Sequence, residues 1–403
     1  MDLDLLRELA TPNDTKIVLA VIDGLGGLPH PTRRRSELEA ADTPNLDRLA
    51  AESACGLTVP LGLGITPGSG PGHLALFGYD PLKYTVGRGV LESLGIEFDL
   101  QPKDVAARGN FCTLDSDGKI VDRRAGRIPT EESTALCEQL AKIELPGVEL
   151  FIEPVRDHRF VLVLRAKGRK KLSAGLRDTD PQKEGVAPLQ AEAIGSGAKS
   201  TATLINTFVR EAQTLLADRE AANAVMLRGF AQLPDLPDMP EVFNFRAAAI
   251  AMYPMYRGLA KLVGMTVLKA GESFLDEIES LRSHWDDFDF FFIHYKPADT
   301  AGEDGDFGAK VAALEAFDKF VPALRDLGAD VLMIAGDHST PTTMAAHSWH
   351  PVPFALSAAN IRPGETRNFD EHSCLHGSLG TFPATEVMPL AMAHAGRLAK
   401  YGA

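Results

Sequence analysis

Three short apolar runs in this chain each lead directly into acidic residues or histidines. The runs, with the polar residues that follow them, are 17–22 with Asp23, 290–293 with His294 and Asp299, and 331–335 with Asp337 and His338. Continuous apolar runs of this length, bounded by turn residues, are typical of strands that are buried on both faces of a parallel sheet. Because ligands bind at the carboxyl ends of such strands, the pattern predicts that these polar side chains meet at one edge of a sheet.

The middle of the chain has a different pattern. Residues 108–121 and 159–165 alternate between apolar and polar positions, which is typical of antiparallel strands, and the Asp-Gly pair at 117–118 fits a hairpin turn. Residues 131–142 and 200–218 have helical periodicity. The patterns together predict an α/β sheet with helices on both faces, interrupted by a smaller inserted α+β domain. The expected boundaries are 1–104 and 223–403 for the α/β domain and 105–222 for the insert.

Residues 61–73 are too rich in glycine and proline to predict regular structure, and a helix is expected to follow at residues 74–77. Ser69 lies between two glycines in this segment, in a turn that is expected to expose its hydroxyl to a phosphate or a metal ion. A serine becomes a nucleophile through a base, a lowered pKa or a metal, and the segment contains neither a G-x-S-x-G elbow nor a P-loop. A metal is therefore the expected activator, and a purely structural turn is the alternative.

The segment after residue 335 contains a carboxylate and two imidazoles, Asp337, His338 and His347, within eleven residues. Oxygen and imidazole ligands in this combination suit Mn, Zn, Fe or Co better than Ca. Together with acids at the other strand ends, the segment predicts two-metal chemistry, in which paired ions polarise a phosphoryl oxygen and ionise a serine. His294 and His350 are expected to lie outside the set of metal ligands.

Composition limits the class of protein. The length of 403 residues predicts two domains, and the net charge of −14 argues against non-specific binding of nucleic acid. The acidic N-terminus lacks the pattern of a signal peptide, and no apolar run approaches the roughly 18 residues that a membrane helix needs. Four widely spaced cysteines without a CxxC pair indicate reduced thiols, so we expect a cytoplasmic protein that binds no membrane. The sequence does not indicate an oligomeric state.

Local clusters of arginine are the expected anion-binding groups of this acidic chain, because a guanidinium binds carboxylate or phosphate through two parallel hydrogen bonds. The candidate residues in arginine-bearing segments are Arg123, Arg124, Arg127, His158, Arg159, Asp178, Asp180, Arg228 and Arg257. Taken singly, each arginine is better explained as a solvated surface charge. Only the convergence of several of them in the fold would indicate a binding site.

Long stretches of the sequence resemble the cofactor-independent phosphoglycerate mutases of the archaeal type, which are members of the alkaline phosphatase superfamily. The stretches that carry the resemblance are 20–27, 39–49, 67–80, 86–89, 104–111, 122–127, 337–341, 347–353 and 398–403. They extend over nearly the whole chain. The resemblance implies a phosphatase-like metal domain that is interrupted by a smaller substrate-binding domain.

The resemblance also implies a reaction and the residues that perform it. Phosphate moves between the 3- and 2-hydroxyls of D-glycerate through a phosphoserine, with two divalent metal ions and without bisphosphoglycerate. Mn is the expected metal, and Mg, Co and Zn are alternatives. The implied nucleophile is Ser69, and the implied metal ligands are Asp23, Ser69, Asp337 and His338 for one ion and Asp299, Glu303 and His347 for the other. The implied substrate-binding residues are His158, Arg159, Asp178, Asp180, Arg228 and Arg257.

Three positions depart from the family pattern. Glu303 stands where histidine is usual, which adds negative charge and favours metals harder than zinc, and Asp304 or Asp306 would replace it if it points away. His350 stands where an acid is usual, and Gly-Pro-Gly follows Ser69 where polar residues are common. Two alternative functions are a phosphatase or other phosphotransferase on the same metal site, and a non-catalytic relative that binds a phosphorylated metabolite.

Overall fold

Strand β1 (Ile17–Ile22) lies in the interior of the larger of two sheets, where all of its residues are buried. The computed structural model describes residues 2–402. The described chain divides into two units, of which the smaller comprises residues 86–235 and the larger comprises the residues on either side. The smaller unit is therefore an insertion in the sequence of the larger one.

The secondary structure of residues 2–402 is as follows. The other strands are β2 (Ala54–Val59), β3 (Val105–Leu114), β4 (Ile120–Asp122), β5 (Val148–Arg156), β6 (Arg159–Ala166), β7 (Ala224–Ala231), β8 (Ala247–Ile250), β9 (Thr266–Val267), β10 (Phe290–Tyr295), β11 (Val331–Ala335), β12 (Val352–Ala358) and β13 (Gly380–Pro383). The helices are α1 (Leu3–Leu9), α2 (Glu37–Ala40), α3 (Pro44–Ala51), α4 (Ser69–Leu76), α5 (Arg88–Gly95), α6 (Thr130–Leu140), α7 (Lys199–Leu216), α8 (Met239–Phe243), α9 (Pro254–Leu262), α10 (Phe274–Ser283), α11 (Pro297–Glu303), α12 (Phe307–Asp318), α13 (Val321–Arg325), α14 (Glu371–Leu375) and α15 (Val387–His394).

The larger sheet has the strand order β13-β2-β12-β11-β1-β10-β8-β9. Its strands pair in parallel, except that β12 is antiparallel to both of its neighbours. Because β1 runs parallel to β10 on one side and to β11 on the other, three distant stretches of sequence end at the same edge of the sheet. The predicted α/β class and the three predicted strands are confirmed.

Helices cover both faces of this sheet. On one face, Val18, Ile293 and Ile334 belong to an apolar cluster that includes residues of α3, α10, α12 and α13. On the other face, Phe77 at the end of α4 contacts Phe292 of β10, with ring centroids 5.0 Å apart. Burial on both faces is the reason that these strands are continuous apolar runs.

The smaller unit is built on an antiparallel sheet with the order β4-β3-β6-β5, in which β7 also pairs with β3. One face of this sheet packs against α6 and α7, through residues such as Phe160 and Phe208. The other face packs against α5, where Val90 contacts an apolar cluster that includes Val161 and Val163. The smaller unit therefore has its own core on each side of its sheet.

The smaller unit extends beyond the expected boundaries of 105–222 at both ends. Residues 224–231 were expected to belong to the parallel sheet, but they form β7, which is antiparallel to β3. Before the predicted start, α5 packs on β3 so closely that a Cβ on Gly89 would lie 2.4 Å from backbone atoms of Ala106. The sequence of a strand does not specify its partner, so an apolar run at this position fits either sheet.

Most of the elements predicted from periodicity are present. Helices α6 and α7 fall in the predicted stretches, and the turn at 117–118 lies between β3 and β4. The exception is α4, which begins at Ser69, inside the segment that was expected to be irregular. No helix within residues 2–402 is both long enough and apolar enough to cross a membrane.

Candidate active site

Acidic and histidine side chains from three neighbouring strands meet at the carboxyl edge of the larger sheet. Asp23 follows β1 directly, His294 lies in β10, and Asp337 and His338 come shortly after β11. Asp299 lies in α11, the first helix after β10. The parallel pairing of β1 with β10 and β11 brings these strand ends together.

These side chains form two overlapping groups that are able to hold metal ions. Ligand atoms of Asp23, Asp337 and His338 lie within 4.8 Å of one another, and the same is true of Asp299, His338 and His347. His338 belongs to both groups, and its ring stacks on that of His347 with centroids 3.7 Å apart. Asp23 Oδ1 and Asp337 Oδ2 are buried and accept no hydrogen bond. Buried carboxylate oxygens need a positive partner, so this donor set fits divalent metal ions.

Ser69 is the first residue of α4, and its Oγ lies 3.1 Å from His338 Nε2. The helix approaches the end of β11 closely because Gly72 has no side chain; a Cβ there would lie 2.2 Å from the carbonyl oxygen of Asp337. The expectation that Ser69 lies in an exposed turn is wrong, since the residue is half-buried at a helix N-terminus. The unpaired N–H groups and the dipole of a helix favour negative charge at that end, which suits a serine alkoxide or a phosphate.

Polar and charged side chains surround Asp23. Lys296 Nζ lies 2.9 Å from Asp23 Oδ2 and 2.5 Å from Asp299 Oδ2. Tyr256 donates a short hydrogen bond to Asp23, and His294 Nε2 lies 3.2 Å from the same carboxylate oxygen. Burial by itself raises the pKa of Asp23, but Lys296 and His294 outweigh burial and hold the pKa well below its usual range. Burial and the charge of Asp23 raise the pKa of Asp299, as expected for carboxylates that share one cation.

His73 holds Asp337 from within α4. Its Nδ1 lies 2.8 Å from the carbonyl oxygen of Ser69 and 3.1 Å from Asp337 Oδ2. Burial lowers the pKa of His73, but Asp337 outweighs burial and the net shift is upward. Sequence analysis missed His73, Tyr256 and Lys296 as parts of the site. The available signal for His73 was its spacing from Ser69, because residues four apart share one face of a helix.

Glu303 lies at the border of the second group. Its side chain is 57% exposed, and its Oε1 is 3.5 Å from His347 Nε2. Burial lowers the pKa of His347, but Glu303 and Asp299 outweigh burial and raise the pKa to about 9. Of the two alternative acids, Asp306 caps α12 by accepting a hydrogen bond from the N–H of Ala309. Glu303 is therefore better placed than Asp306 to complete this group.

His294 and His350 are not members of either group within residues 2–402. Burial lowers the pKa of His294 to about 4, so its ring is neutral, and the ring stacks on Tyr256 with centroids 3.7 Å apart. His350 Nδ1 lies 3.1 Å from Ser348 Oγ, and its ring stacks on Trp349. His294 therefore lies against Asp23, whereas His350 contacts Ser348 and Trp349 of its own loop.

Four arginines of the smaller unit, Arg88, Arg108, Arg159 and Arg228, form a cluster that we call the arginine group. Burial and repulsion from the other guanidinium groups lower the pKa of Arg108 to about 10, and they also lower the pKa of Arg88. The Nε atoms of Arg159 and Arg228 are buried and donate no hydrogen bond. Partly buried guanidinium groups with unpaired N–H donors are suited to binding an anion.

Two aspartates partly neutralise the arginine group. Arg228 Nη1 lies 3.5 Å from Asp180 Oδ2, and Arg228 Nε lies 3.8 Å from Asp178 Oδ2. Asp180 is bound more closely by Arg123, at 2.7 Å. Burial raises the pKa of Asp180, but Arg123 outweighs burial and the net shift is downward. Asp180 is therefore already paired, and the arginine group keeps an excess of positive charge.

The remaining two predicted substrate-binding residues belong to different units. Burial and the charges of Arg159 and Arg108 lower the pKa of His158 in the smaller unit to about 4, and its Nδ1 makes no hydrogen bond. Arg257 lies in α9 of the larger unit, where its Nη1 donates to the carbonyl oxygen of Met252 at 3.0 Å. Sequence analysis missed Arg88 and Arg108, although both lie in stretches that carry the family resemblance.

Relatives of known family match the whole chain. A probable 2,3-bisphosphoglycerate-independent phosphoglycerate mutase from Thermotoga neapolitana is 50% identical over 402 residues, which are 99% of this chain and 98% of the relative. This chain belongs to the 2,3-bisphosphoglycerate-independent phosphoglycerate mutase family. A relative of the same name from Thermus thermophilus is 49% identical over 409 residues, with 100% of both chains covered. The family expected from the sequence motifs is confirmed.

Further matches agree with membership of this mutase family. The model of the family 2,3-bisphosphoglycerate-independent phosphoglycerate mutase matches residues 50–222. The solved structure of a cofactor-independent phosphoglycerate mutase from Thermoplasma acidophilum has a TM-score of 0.69 and 28% identity, covering 94% of this chain and 100% of that one. A solved protein from Pyrococcus horikoshii has a TM-score of 0.84 and 28% identity, covering 97% of this chain and 100% of that one. Both solved structures therefore share the fold of this chain over nearly its whole length.

Proposed function

We propose that this member of the mutase family interconverts 3-phospho-D-glycerate and 2-phospho-D-glycerate through a phosphoserine on Ser69. The observation that carries the proposal is the position of Ser69 at the N-terminus of α4, with its Oγ 3.1 Å from His338 Nε2 and beside the buried carboxylates. The names of the full-length relatives support phosphoglycerate as the substrate. The reaction is an isomerisation and needs no bisphosphoglycerate.

Two divalent metal ions would be held by the two groups of side chains. The proposed ligands are Asp23, Ser69, Asp337 and His338 for one ion and Asp299, Glu303 and His347 for the other. When bound, the ions supply positive charge that polarises the phosphoryl oxygens and stabilises the serine alkoxide. The unpaired buried oxygens of Asp23 and Asp337 support this assignment. Mn is the expected metal, with Mg, Co and Zn as alternatives.

Each half of the proposed reaction transfers one phosphoryl group. Ser69 Oγ loses its proton and attacks the phosphorus of 3-phosphoglycerate, the bond to the 3-oxygen breaks, and that oxygen takes up a proton. The 2-hydroxyl of glycerate then loses a proton and attacks the phosphoserine, which gives 2-phosphoglycerate and restores Ser69. His158 and Asp178 are the candidates for moving these protons, because both lie beside the arginine group.

The arginine group would bind the anionic part of the substrate, with Arg257 as a further candidate. A mutase differs from a phosphatase because it keeps glycerate bound until the phosphoryl group returns, while water is excluded. A hydrogen bond between guanidinium and carboxylate contributes more to the binding free energy than a hydrogen bond between neutral groups. The unpaired N–H groups of Arg159 and Arg228 therefore support a role for these residues in retaining glycerate.

The test is a coupled enolase assay with 3-phosphoglycerate, on protein stripped of metal and reloaded with Mn²⁺, without bisphosphoglycerate. We expect metal-dependent turnover in the wild type and none in Ser69→Ala. Ser53→Ala removes another buried serine hydroxyl, which has no hydrogen-bond partner, and is expected to keep full activity. Mass spectrometry of quenched wild-type reactions should show a phosphate on Ser69.

Release of inorganic phosphate without formation of 2-phosphoglycerate would contradict the mutase and leave a phosphatase on the same site. Turnover that survives in Ser69→Ala would contradict the phosphoserine. We further propose a cytoplasmic location, which the four free and buried cysteines support.

A further inference from the structure

Lys310 is a buried lysine beneath the candidate active site. It lies in α12, and its side chain has no exposed surface. Its Nζ donates hydrogen bonds to the carbonyl oxygens of Gly24 at 2.8 Å, Gly26 at 2.9 Å and Thr340 at 2.8 Å. An ammonium group has three N–H donors, so three carbonyl acceptors use all of them, whereas a neutral amine would leave one carbonyl without a donor.

The three carbonyls belong to the two turns that carry three of the proposed metal ligands, Asp23, Asp337 and His338. Gly24 and Gly26 follow Asp23 in the turn after β1, and Thr340 is two residues after His338 in the turn after β11. The ammonium group of Lys310 therefore joins the turn of one ligand to the turn of another. These hydrogen bonds go to backbone carbonyls and do not involve the ligand side chains themselves.

Thr340 extends the connection to a third ligand. Its hydroxyl lies 2.7 Å from Asp299 Oδ1 and 3.0 Å from His338 Nδ1. Both side chains belong to the second of the two groups. A shift of the Thr340 backbone would therefore move a hydroxyl that contacts both Asp299 and His338, and the carbonyl of that backbone accepts a hydrogen bond from Lys310.

Two glutamates also bind the same turns, by accepting hydrogen bonds from backbone N–H groups. Glu371 accepts a hydrogen bond from the N–H of Gly27 at 2.7 Å, and Glu37 accepts one from the N–H of Thr342 at 2.8 Å. Burial lowers the pKa of Lys310, and the negative charges of Glu37 and Glu371 oppose that effect. A buried ionic group of this kind adds little to stability compared with apolar packing, so its effect on geometry is the better explanation.

We propose that Lys310 is a positioning residue whose ammonium group fixes the two ligand-bearing turns and thereby sets the affinity of the site for divalent metal. It does so without touching the metal or the substrate. The inference rests on the metal site of the proposed function and deepens it, since it names the residue that holds that site in shape. If Lys310 only filled space in the core, a folded variant at this position would bind divalent metal as tightly as the wild type.

The test compares Lys310→Met with Leu314→Ala. Methionine keeps most of the length of lysine but donates no hydrogen bond. Leu314 is one turn further along α12, fully buried in the apolar core, so its truncation lowers stability without removing a contact to the turns. Mn²⁺ affinity is measured by isothermal titration and by Mn²⁺ electron paramagnetic resonance, at a temperature where circular dichroism shows each variant folded.

We expect Lys310→Met to bind Mn²⁺ at least tenfold more weakly than the wild type, with kcat falling more than KM rises at saturating metal. We expect Leu314→Ala to unfold at a lower temperature but to bind Mn²⁺ within twofold of the wild type. Lys310→Gln, which keeps an N–H donor, should fall between wild type and Lys310→Met. If Lys310→Met does not fold, Lys310→Gln is judged against Leu314→Ala by the same criterion.

The positioning role would be overturned if a folded Lys310→Met or Lys310→Gln variant bound Mn²⁺ within twofold of the wild type. The proposed function would remain intact in that case, provided that the wild type binds Mn²⁺ and turns over phosphoglycerate. Equal losses of Mn²⁺ affinity in Leu314→Ala would also overturn the positioning role, because they would attribute the effect to stability alone. Wild-type protein that binds no divalent metal would overturn the proposed function first and this inference with it.

Discussion

The two units of this protein differ in the kind of charged group that each gathers, which is carboxylates in the larger unit and guanidinium groups in the smaller one. In the larger unit, Asp23 and Asp299 share Lys296, and buried oxygens of Asp23 and Asp337 accept no hydrogen bond. In the smaller unit, the guanidinium groups of the arginine group outnumber the aspartates beside them. This difference supports the proposal that the larger unit binds cations and the smaller unit binds an anion, a division that the net charge of −14 does not reveal.

The largest expected effect comes from removing a carboxylate of the larger unit. Asp337→Asn deletes a buried charge beside His73 and His338, so we expect Mn²⁺ affinity to fall at least about 100-fold and activity to fall further. Calorimetric titration with Mn²⁺ and the coupled assay measure both quantities. The matched control is Asp326→Asn at the exposed end of α13, and equal losses in the two variants would remove the distinction between them.

A smaller effect is expected from the arginine group. Arg228→Gln removes a guanidinium but no metal ligand, so we expect KM for 3-phosphoglycerate to rise about 10- to 150-fold while Mn²⁺ affinity is unchanged. Arg165→Gln, in β6 of the same unit, removes an arginine that is already paired with Asp104 at 2.7 Å and should leave KM unchanged. A loss of Mn²⁺ affinity in Arg228→Gln would contradict the division of roles between the units.

The next prediction concerns which cation the larger unit prefers. Glu303→His replaces an oxygen donor beside His347 with an imidazole, so we expect the preference for Zn²⁺ or Co²⁺ over Mn²⁺ to rise about tenfold. Turnover with each metal, measured after stripping and reloading, reports the change. Glu303→Gln keeps an oxygen donor and is the control; an unchanged metal preference in Glu303→His would show that this side chain is not a ligand.

The smallest expected effect is a change in stability with pH, and measuring it tests whether one buried acid of the larger unit, Glu277, is charged. Burial raises the pKa of Glu277 to about 8, well above its ordinary value, even though its carboxylate accepts N–H groups of Met252 and His294. Between about pH 4.5 and pH 8 the folded state therefore keeps a proton that the unfolded state has lost, and stability falls as pH rises through that range.

We accordingly expect the unfolding temperature of the wild type to fall by about 5 °C between pH 5 and pH 8 relative to that of Glu277→Gln, which imitates the protonated form. Differential scanning calorimetry across this range makes the measurement. Glu279→Gln, on the exposed side of the same helix, should follow the pH dependence of the wild type. Parallel curves for wild type and Glu277→Gln would show that Glu277 is ionised in the folded protein.

The strands that position the site could be predicted from the sequence because burial on both faces leaves a continuous apolar run. The pairing of such runs is not local information, and for this reason the run at 224–231 was placed in the wrong sheet. The start of α4 at Ser69 was missed because glycine and proline disfavour a helix on average, whereas here Gly72 permits a close approach that any side chain would block.

The lysines of the site could not be predicted for a related reason. Lys296 and Lys310 look like ordinary helix or loop residues in the sequence, and lysine is rarely buried unless it is paired. Their roles depend on carboxylates and carbonyls that lie far away in the chain, such as Asp23 and Gly24. Acids at strand ends carry a recognisable signal in the sequence, but their cationic partners do not.

The interior position of β1 in the larger sheet has a consequence for synthesis of the chain. Ile17 pairs with Phe290 on one side and with Val331 on the other, so neither neighbour of β1 exists when its own sequence emerges from the ribosome. The smaller unit is continuous from residue 86 to 235 and has all of its strands before β10 is made. At about 5–20 residues per second, roughly 10–50 s separate residue 85 from residue 335. We therefore expect the inserted unit to fold first, and the first 85 residues, which carry Asp23 and Ser69, to be the part of the nascent chain that most depends on chaperones.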